Sequence, residues 1–293
     1  MKPLMLVLPE NEAFAASLAR AAGGDVGRLE VRRFPDQESY VRIEAPVTGR
    51  PVILVCSLHS PDTKVLQVLF AAATAKELGA RSVGLVAPYL AYMRQDRRFH
   101  EGEAVTSLIF GRLLSGYVDW LVTVDPHLHR HPTLEAVYQI PSTALHAAPL
   151  IATWIRENVP DPVLIGPDSE SAQWVESVAA LASAPWTVLE KIRTGDKQVS
   201  VSVPHLEPWK NRTPVLVDDI ISTARTQIAA VGRLKEAGMR PPVCMGVHAL
   251  FAGDAYTALQ AAGAGRIVTC NTIPHPSNAI DLAPLMGRAL GEL

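Results

Sequence analysis

The chain has little of what marks the specialised protein classes. It holds only three cysteines, Cys56, Cys244 and Cys270, each in an apolar, strand-like run and at no metal-ligand spacing. That excludes a disulfide scaffold and a thiolate metal centre, and fits buried thiols in a reducing compartment. No apolar run approaches the roughly 20 residues of a membrane span. The run Met1–Pro9 is apolar but too short for a signal peptide and is broken by proline, so the expected compartment is the cytoplasm, with no membrane partner. One-sided charge is also missing: the formal net charge is −2, which gives no electrostatic reason to expect nucleic-acid binding. Low-complexity segments, long linkers and residue-level repeats are absent from the sequence.

What is present is an alternation of two patterns. Continuous apolar, β-type runs occur at Leu4–Leu8, Pro51–Ser57, Ser82–Pro88, Trp120–Val124, Val163–Gly166, Val215–Val217, Val243–Ala249 and Arg266–Asn271. Amphipathic helical runs fall at Glu12–Ala22, Thr63–Leu78, Thr106–Leu114, Ala147–Glu157, Ser171–Leu181, Thr226–Ala237 and Ala255–Ala262. Apolar strands each followed by a helix predict an α/β fold of mostly parallel sheets covered on both faces. A β-hairpin is predicted where Leu29–Arg33 and Ser39–Glu44 flank a turn. The cycle runs to about Pro141 and then restarts, so two similar α/β domains are expected, 1–143 and 144–293. At 293 residues the chain is long enough for both.

The most informative stretch is Thr213-Pro-Val-Leu-Val-Asp218-Asp219-Ile-Ile-Ser222-Thr223-Ala224-Arg225-Thr226. An apolar strand ends in two carboxylates, a hydroxyl-rich turn follows, and a helical pattern begins. Backbone N–H groups of such a turn and the positive end of the helix favour a phosphate dianion. Ser222, Thr223 and Thr226 add hydroxyl donors, while Asp218 and Asp219 are acceptors suited to ribose hydroxyls. Open α/β sheets bind ligands at this end of their strands. The bland alternative is a strand end whose acids bind a metal or cap a helix.

This segment resembles the phosphoribosyl-pyrophosphate (PRPP) motif of phosphoribosyltransferases and PRPP synthases, with Ala224 and Arg225 where two glycines are usual. Four further motifs follow the order found in PRPP synthases (ribose-phosphate pyrophosphokinases). Phe34-Pro35-Asp36-Gln37-Glu38 is similar to a Phe-Pro-Asp-Gly-Glu hairpin that, in the family, reaches into the ATP site of a neighbouring subunit; Gln37 replaces the glycine. Tyr89-Leu-Ala-Tyr92-Met-Arg94-Gln95-Asp96-Arg97 resembles the family's Tyr-x-x-Tyr-x-Arg-Gln-Asp-Arg loop. Val124-Asp125-Pro126-His127 resembles Val-Asp-Leu-His, whose histidine holds the magnesium of ATP. Gly166-Pro167-Asp168 and the loop Lys191-Ile-Arg193 resemble the metal-site aspartate and the cationic lid. Taken alone, the first would be a plain turn with solvated acids, and the loop at 191–193 a charged hairpin. His127, His129 and His131 would share one side of a strand, which suggests zinc, but Arg130 and Pro132 interrupt and no cysteine or glutamate completes a tetrahedral set.

The resemblance implies a ribose-phosphate diphosphokinase of phosphoribosyltransferase-like fold. Such an enzyme moves the pyrophosphoryl group of ATP to ribose 5-phosphate with Mg²⁺ as cofactor, and works as a homo-oligomer. It assigns Phe34, Asp36, Gln37, Glu38, Arg94, Gln95 and Asp96 to ATP, and His127 and Asp168 to the metal. Lys191 and Arg193 become the catalytic cations, and Asp218, Asp219, Ser222, Thr223, Ala224, Arg225 and Thr226 the ribose 5-phosphate site. Two rivals stay open. A phosphoribosyltransferase would consume PRPP without ATP, and a catalytically silent regulatory paralogue would be expected to have lost the cations that stand at 191 and 193.

Overall fold

The computed structural model describes residues 1–128, 130–168, 171–194, 198–202 and 206–291, with only the backbone described at 190–194 and 198–202. The chain divides into two compact units, one of Met1–Leu145 with Thr272–Pro274 and Leu282–Leu293, the other of His146–Asn271 with His275–Asp281.

In the first unit the strands are β1 (Leu4–Val7), β2 (Asp25–Gly27), β3 (Leu29–Arg33), β4 (Ser39–Ile43), β5 (Pro51–Val55), β6 (Ser82–Ala87), β7 (Trp120–Val124) and β8 (Ser142–Leu145). Six of them form one parallel sheet in the order β2-β1-β5-β6-β7-β8. Its central strands, such as Val52-Ile53-Leu54-Val55, are buried on both faces, which is why they read as unbroken apolar runs. Helices α1 (Glu12–Ala22), α2 (Val65–Glu77) and α3 (Thr106–Ser115) belong to this unit. Strands β3 and β4 pair antiparallel as a separate hairpin, with Val31 opposite Val41, and β4 packs on α2.

The second unit contains α4 (Ala148–Asn158), β9 (Pro162–Gly166), α5 (Ala172–Ala182), β10 (Trp186–Val188), β11 (Glu190–Thr194), β12 (Gln198–Ser202), β13 (Thr213–Ile221), α6 (Arg225–Glu236), β14 (Val243–Ala249), α7 (Ala255–Ala262), β15 (Arg266–Cys270) and β16 (Asn278–Ile280). Its parallel sheet runs β10-β9-β13-β14-β15-β16, and β11 and β12 form an antiparallel hairpin. Ile165, Leu216, Val231, Leu234 and Leu259 lie in its core. The last helix, α8 (Ala283–Leu290), returns to the first unit and packs on α1. A Cβ on Gly287 would stand 2.4 Å from Ala21 Cβ, so the two helices meet at backbone distance.

The two-domain α/β expectation holds in architecture. The predicted segments 1–143 and 144–293 are joined by this return of the chain. Strands β2, β8, β10 and β16 were not expected. They are the edge strands of the two sheets, three or four residues each, too short to carry an apolar run. Strand β8 takes Ser142 and Thr143, the last residues of the expected first domain, into the first sheet together with Ala144 and Leu145. Strand β13 runs four residues beyond its predicted end at Val217, so Asp218 and Asp219 lie inside its ladder.

Candidate active site

In the second unit three acids converge at the carboxyl edge of the sheet. Strands β9 and β13 are neighbours, with Ile165 opposite Leu216, so the loop carrying Asp168 leaves beside the end of β13. Burial, and then the charges of Asp219 and Asp168, push the Asp218 carboxyl well above the usual carboxylate range. One Asp218 oxygen accepts the backbone N–H of Asp219 at 3.0 Å. Carboxylates gathered at one edge of a sheet suit a hard divalent cation or the hydroxyls of a sugar. Among the described residues, no three His, Cys, Asp or Glu side chains form a metal-binding group.

The turn after β13 is held from below. Backbone N–H groups of Phe251 and Ala252 donate to the carbonyls of Ile221 and Ser222 at 2.9 and 3.0 Å, extending the β13–β14 ladder under the loop. Ala224 caps α6 with φ 56 and ψ 5, in the left-handed region. Its carbonyl accepts from the N–H of Ile228 at 2.8 Å. Arg225 is the first residue of α6 and is exposed, and no acid occupies the first turn. A cation at a helix amino terminus opposes the helix dipole, which an anion bound there would offset.

In the first unit the hairpin turn is exposed from Phe34 to Glu38. The N–H of Phe34 donates to the Glu38 carbonyl at 2.9 Å, and Gln37 holds φ 77. The Arg32 guanidinium lies 4.7 Å from the Phe34 ring centroid and 4.0 Å from that of Tyr40, so the aromatic tip is fixed while still open to a partner. Asp36 accepts the Glu38 N–H at 3.3 Å. The loop after β6 places Arg94 and Gln95 at the surface, with the Gln95 side-chain oxygen accepting from Thr106. What Gln95 can offer a ligand is its amide N–H. Tyr92 donates to Asp62, and burial together with that carboxylate pushes the phenol up to about 12.

The geometry bears on three of the expectations. Asp96, assigned to ATP, is buried, with both carboxylate oxygens 3.0 Å from Nη1 of Arg130, so it holds the protein to itself. Strand β7 ends at Val124, and Asp125 and His127 have φ of 36 and 55. The strand that would have aligned His127 with its neighbours is therefore not there, and His129 lies outside the described residues. Lys191 and Arg193 sit on β11 opposite Val201 and Val199. Their side chains, and Gly195, Asp196 and Lys197 of the loop, lie outside the described residues.

Sequence reading missed a cluster in the first unit. Lys64, only 8% exposed, donates to Glu10 at 2.8 Å and to the Ser57 carbonyl at 3.3 Å, beside His59. Lys64 holds the Glu10 carboxyl below its usual range, while burial and then Lys64 lower the His59 pKa. His59 and Lys64 share the connection between β5 and α2, while Glu10 comes from the loop after β1, so no spacing announces all three.

Residues 4–116 match the N-terminal domain of ribose phosphate pyrophosphokinase, and residues 133–285 match the phosphoribosyl transferase domain. A ribose-phosphate pyrophosphokinase of Methanopyrus kandleri is 32% identical over 293 residues, covering 99% of each protein. That of Methanothermobacter thermautotrophicus is 32% identical, covering 96% of this chain and 98% of its own. The chain belongs to the ribose-phosphate pyrophosphokinase family. The same fold appears in the crystal structure of phosphoribosylpyrophosphate synthetase from Mycobacterium smegmatis, with a TM-score of 0.86 over 99% of this chain and 98% of that one, at 23% identity. Against the family's glycines, Gln37 and Ala224 share one property: both hold the left-handed backbone that glycine would take without strain.

Proposed function

We propose that this chain is a Mg²⁺-dependent ribose-phosphate diphosphokinase acting on ATP and ribose 5-phosphate. The likeness to named pyrophosphokinases across both units carries the reading. The C1 hydroxyl oxygen of ribose 5-phosphate forms a bond to the β-phosphorus of ATP. The bond from that phosphorus to the AMP oxygen breaks, giving PRPP and AMP. Asp218 and Asp219 accept the ribose hydroxyls, and Ser222 to Thr226 hold the 5-phosphate through backbone N–H groups and hydroxyls, with Arg225 adding charge. This fits the carboxylate edge and the left-handed cap at Ala224.

The hairpin Phe34–Glu38 stacks on and hydrogen-bonds the adenosine of a neighbouring copy, so the working form is a homo-oligomer; its exposure supports this. Arg94 and Gln95 bind the nucleotide of their own chain. His127 and Asp168 would hold magnesium, which neutralises the ATP oxygens. Lys191 and Arg193 on the β11–β12 hairpin neutralise charge that develops on the transferred group, since phosphoryl transfer depends mainly on positioning and electrostatics. Three free buried thiols support a cytoplasmic site, and among the described residues no helix is long and apolar enough to cross a membrane.

Phosphorus NMR of purified protein with Mg²⁺, ATP and ribose 5-phosphate tests the proposal. PRPP and AMP should appear together. ADP as the adenine product would mean transfer of the γ-phosphoryl group alone and would end it.

A further inference from the structure

Asp96 is the one carboxylate of the loop from Tyr89 to Arg98, and its side chain is 1% exposed. A buried carboxylate needs a cation or several donors close by, and Arg130 meets that need with Nη1 at 3.0 Å from each oxygen. The two residues come from different loops. One loop follows β6 and the other follows β7, which run side by side with Leu85 opposite Leu121. The Arg130 guanidinium also lies 6.0 Å from the Phe99 ring centroid, and Arg97 lies 4.8 Å from it. The N–H groups of Phe99 and His100 donate to the Glu103 carboxylate at 2.8 and 3.0 Å, which fixes that end of the loop.

An exposed ion pair at this place would contribute little. Here one partner is fully buried, so the pair constrains both loops. We propose that Arg130 is a positioning residue: through Asp96 it ties the loop presenting Arg94 and Gln95 to the loop presenting His127, and so sets the geometry of the ATP end of the site. The inference rests on the ATP assignment made above. It also explains why an acid can stand in a loop meant for a polyphosphate, because the carboxylate is neutralised and turned inward before any nucleotide arrives.

Arg130→Ala and Arg130→Lys in the full chain separate the outcomes. Because small misplacements of binding groups cost affinity and rate steeply, Arg130→Ala should raise KM for ATP by about tenfold or more. KM for ribose 5-phosphate should stay within about twofold, since the two tied loops carry only residues assigned to the nucleotide and its metal. Arg130→Lys, which returns a point charge to Asp96 without the planar guanidinium, should recover part of the loss. Hydrogen exchange of the free proteins, which needs no turnover, should quicken at 93–98 and 125–128 in Arg130→Ala and stay unchanged at 213–224. If the wild type makes no PRPP, the pyrophosphokinase reading fails, while the exchange result still decides the clamp. Unchanged exchange at 93–98 overturns it. A parallel rise in both KM values, with faster exchange throughout the first sheet, also overturns it by reducing the pair to a fold contact. Should Arg130→Ala fail to fold, Arg130→Gln keeps a donor for the buried carboxylate and carries the same readouts.

Discussion

The two units are built to one plan and differ in charge. Each has a six-stranded parallel sheet in which, hairpins aside, the second strand lies outside the first and the rest follow in chain order. Each inserts an antiparallel hairpin between its second and third sheet strands, β3–β4 in one and β11–β12 in the other. Each third strand leads into a turn with a left-handed residue before helical backbone: Ser60 with φ 52 before the short 3-10 helix Pro61–Thr63 after β5, Ala224 with φ 56 before α6 after β13. In the first unit this turn is closed on itself, because Lys64 occupies it and donates to Glu10 and to the Ser57 carbonyl. In the second, burial and then the charges of Asp219 and Asp168 raise the Asp218 pKa. The same scaffold thus carries a lysine-centred cluster at this place in one unit and a group of carboxylates in the other.

The comparison breaks most visibly at the hairpins. Lys191→Ala should lower kcat by at least about a hundredfold with modest change in KM, the pattern of an interaction made in the transition state. Steady-state rates with AMP detection check it, and an unchanged kcat would return β11–β12 to the role of a charged surface hairpin. A smaller effect is expected in the first unit. Lys64→Ala should lower stability by about 2 kcal/mol through lost hydrogen bonds and lost packing of the buried stem. Urea unfolding measures this.

The second unit should respond in the opposite sense. Asp218→Asn should stabilise the ligand-free protein by about 1 kcal/mol, as removal of strain at functional sites often does, while weakening ribose 5-phosphate binding. A carboxyl whose folded pKa is raised destabilises the fold only when ionised. The gain should therefore vanish below the ordinary carboxylate range and grow as pH rises above it. Melting temperatures of wild type and variant from pH 4 to pH 8 test the sign. The smallest effect is at the helix cap. Arg225→Gly should raise KM for ribose 5-phosphate about threefold, the scale of one charge at a helix end, and leave KM for ATP unchanged. A flat or lower value would mean that Arg225 faces solvent.

The sheet interiors were legible because buried parallel strands are unbroken apolar runs, as at Val52–Val55 and Val243–Ala249. The edge strands β2 and β16 were not, since pairing on one side lets residues such as Asp25 and Asn278 serve. The motif residues could be named from their order alone, yet their local geometry could not. Nothing in the sequence says that Asp96 points inward to Arg130, since the two lie 34 residues apart. Gln37 and Ala224 were visible as missing glycines, but only the backbone shows that both positions still demand the left-handed turn.

The packing of α8 on α1 sets an order of assembly. During synthesis the first sheet has all its strands once residue 145 is made, and the second unit's segments are complete by Asp281. The face of α1 that α8 covers, where Ala21 stands against Gly287, is still open. That contact joins nearly opposite ends of the chain and carries a large loop-closure entropy. The half of the protein that emerges first from the ribosome is therefore the last to be sealed.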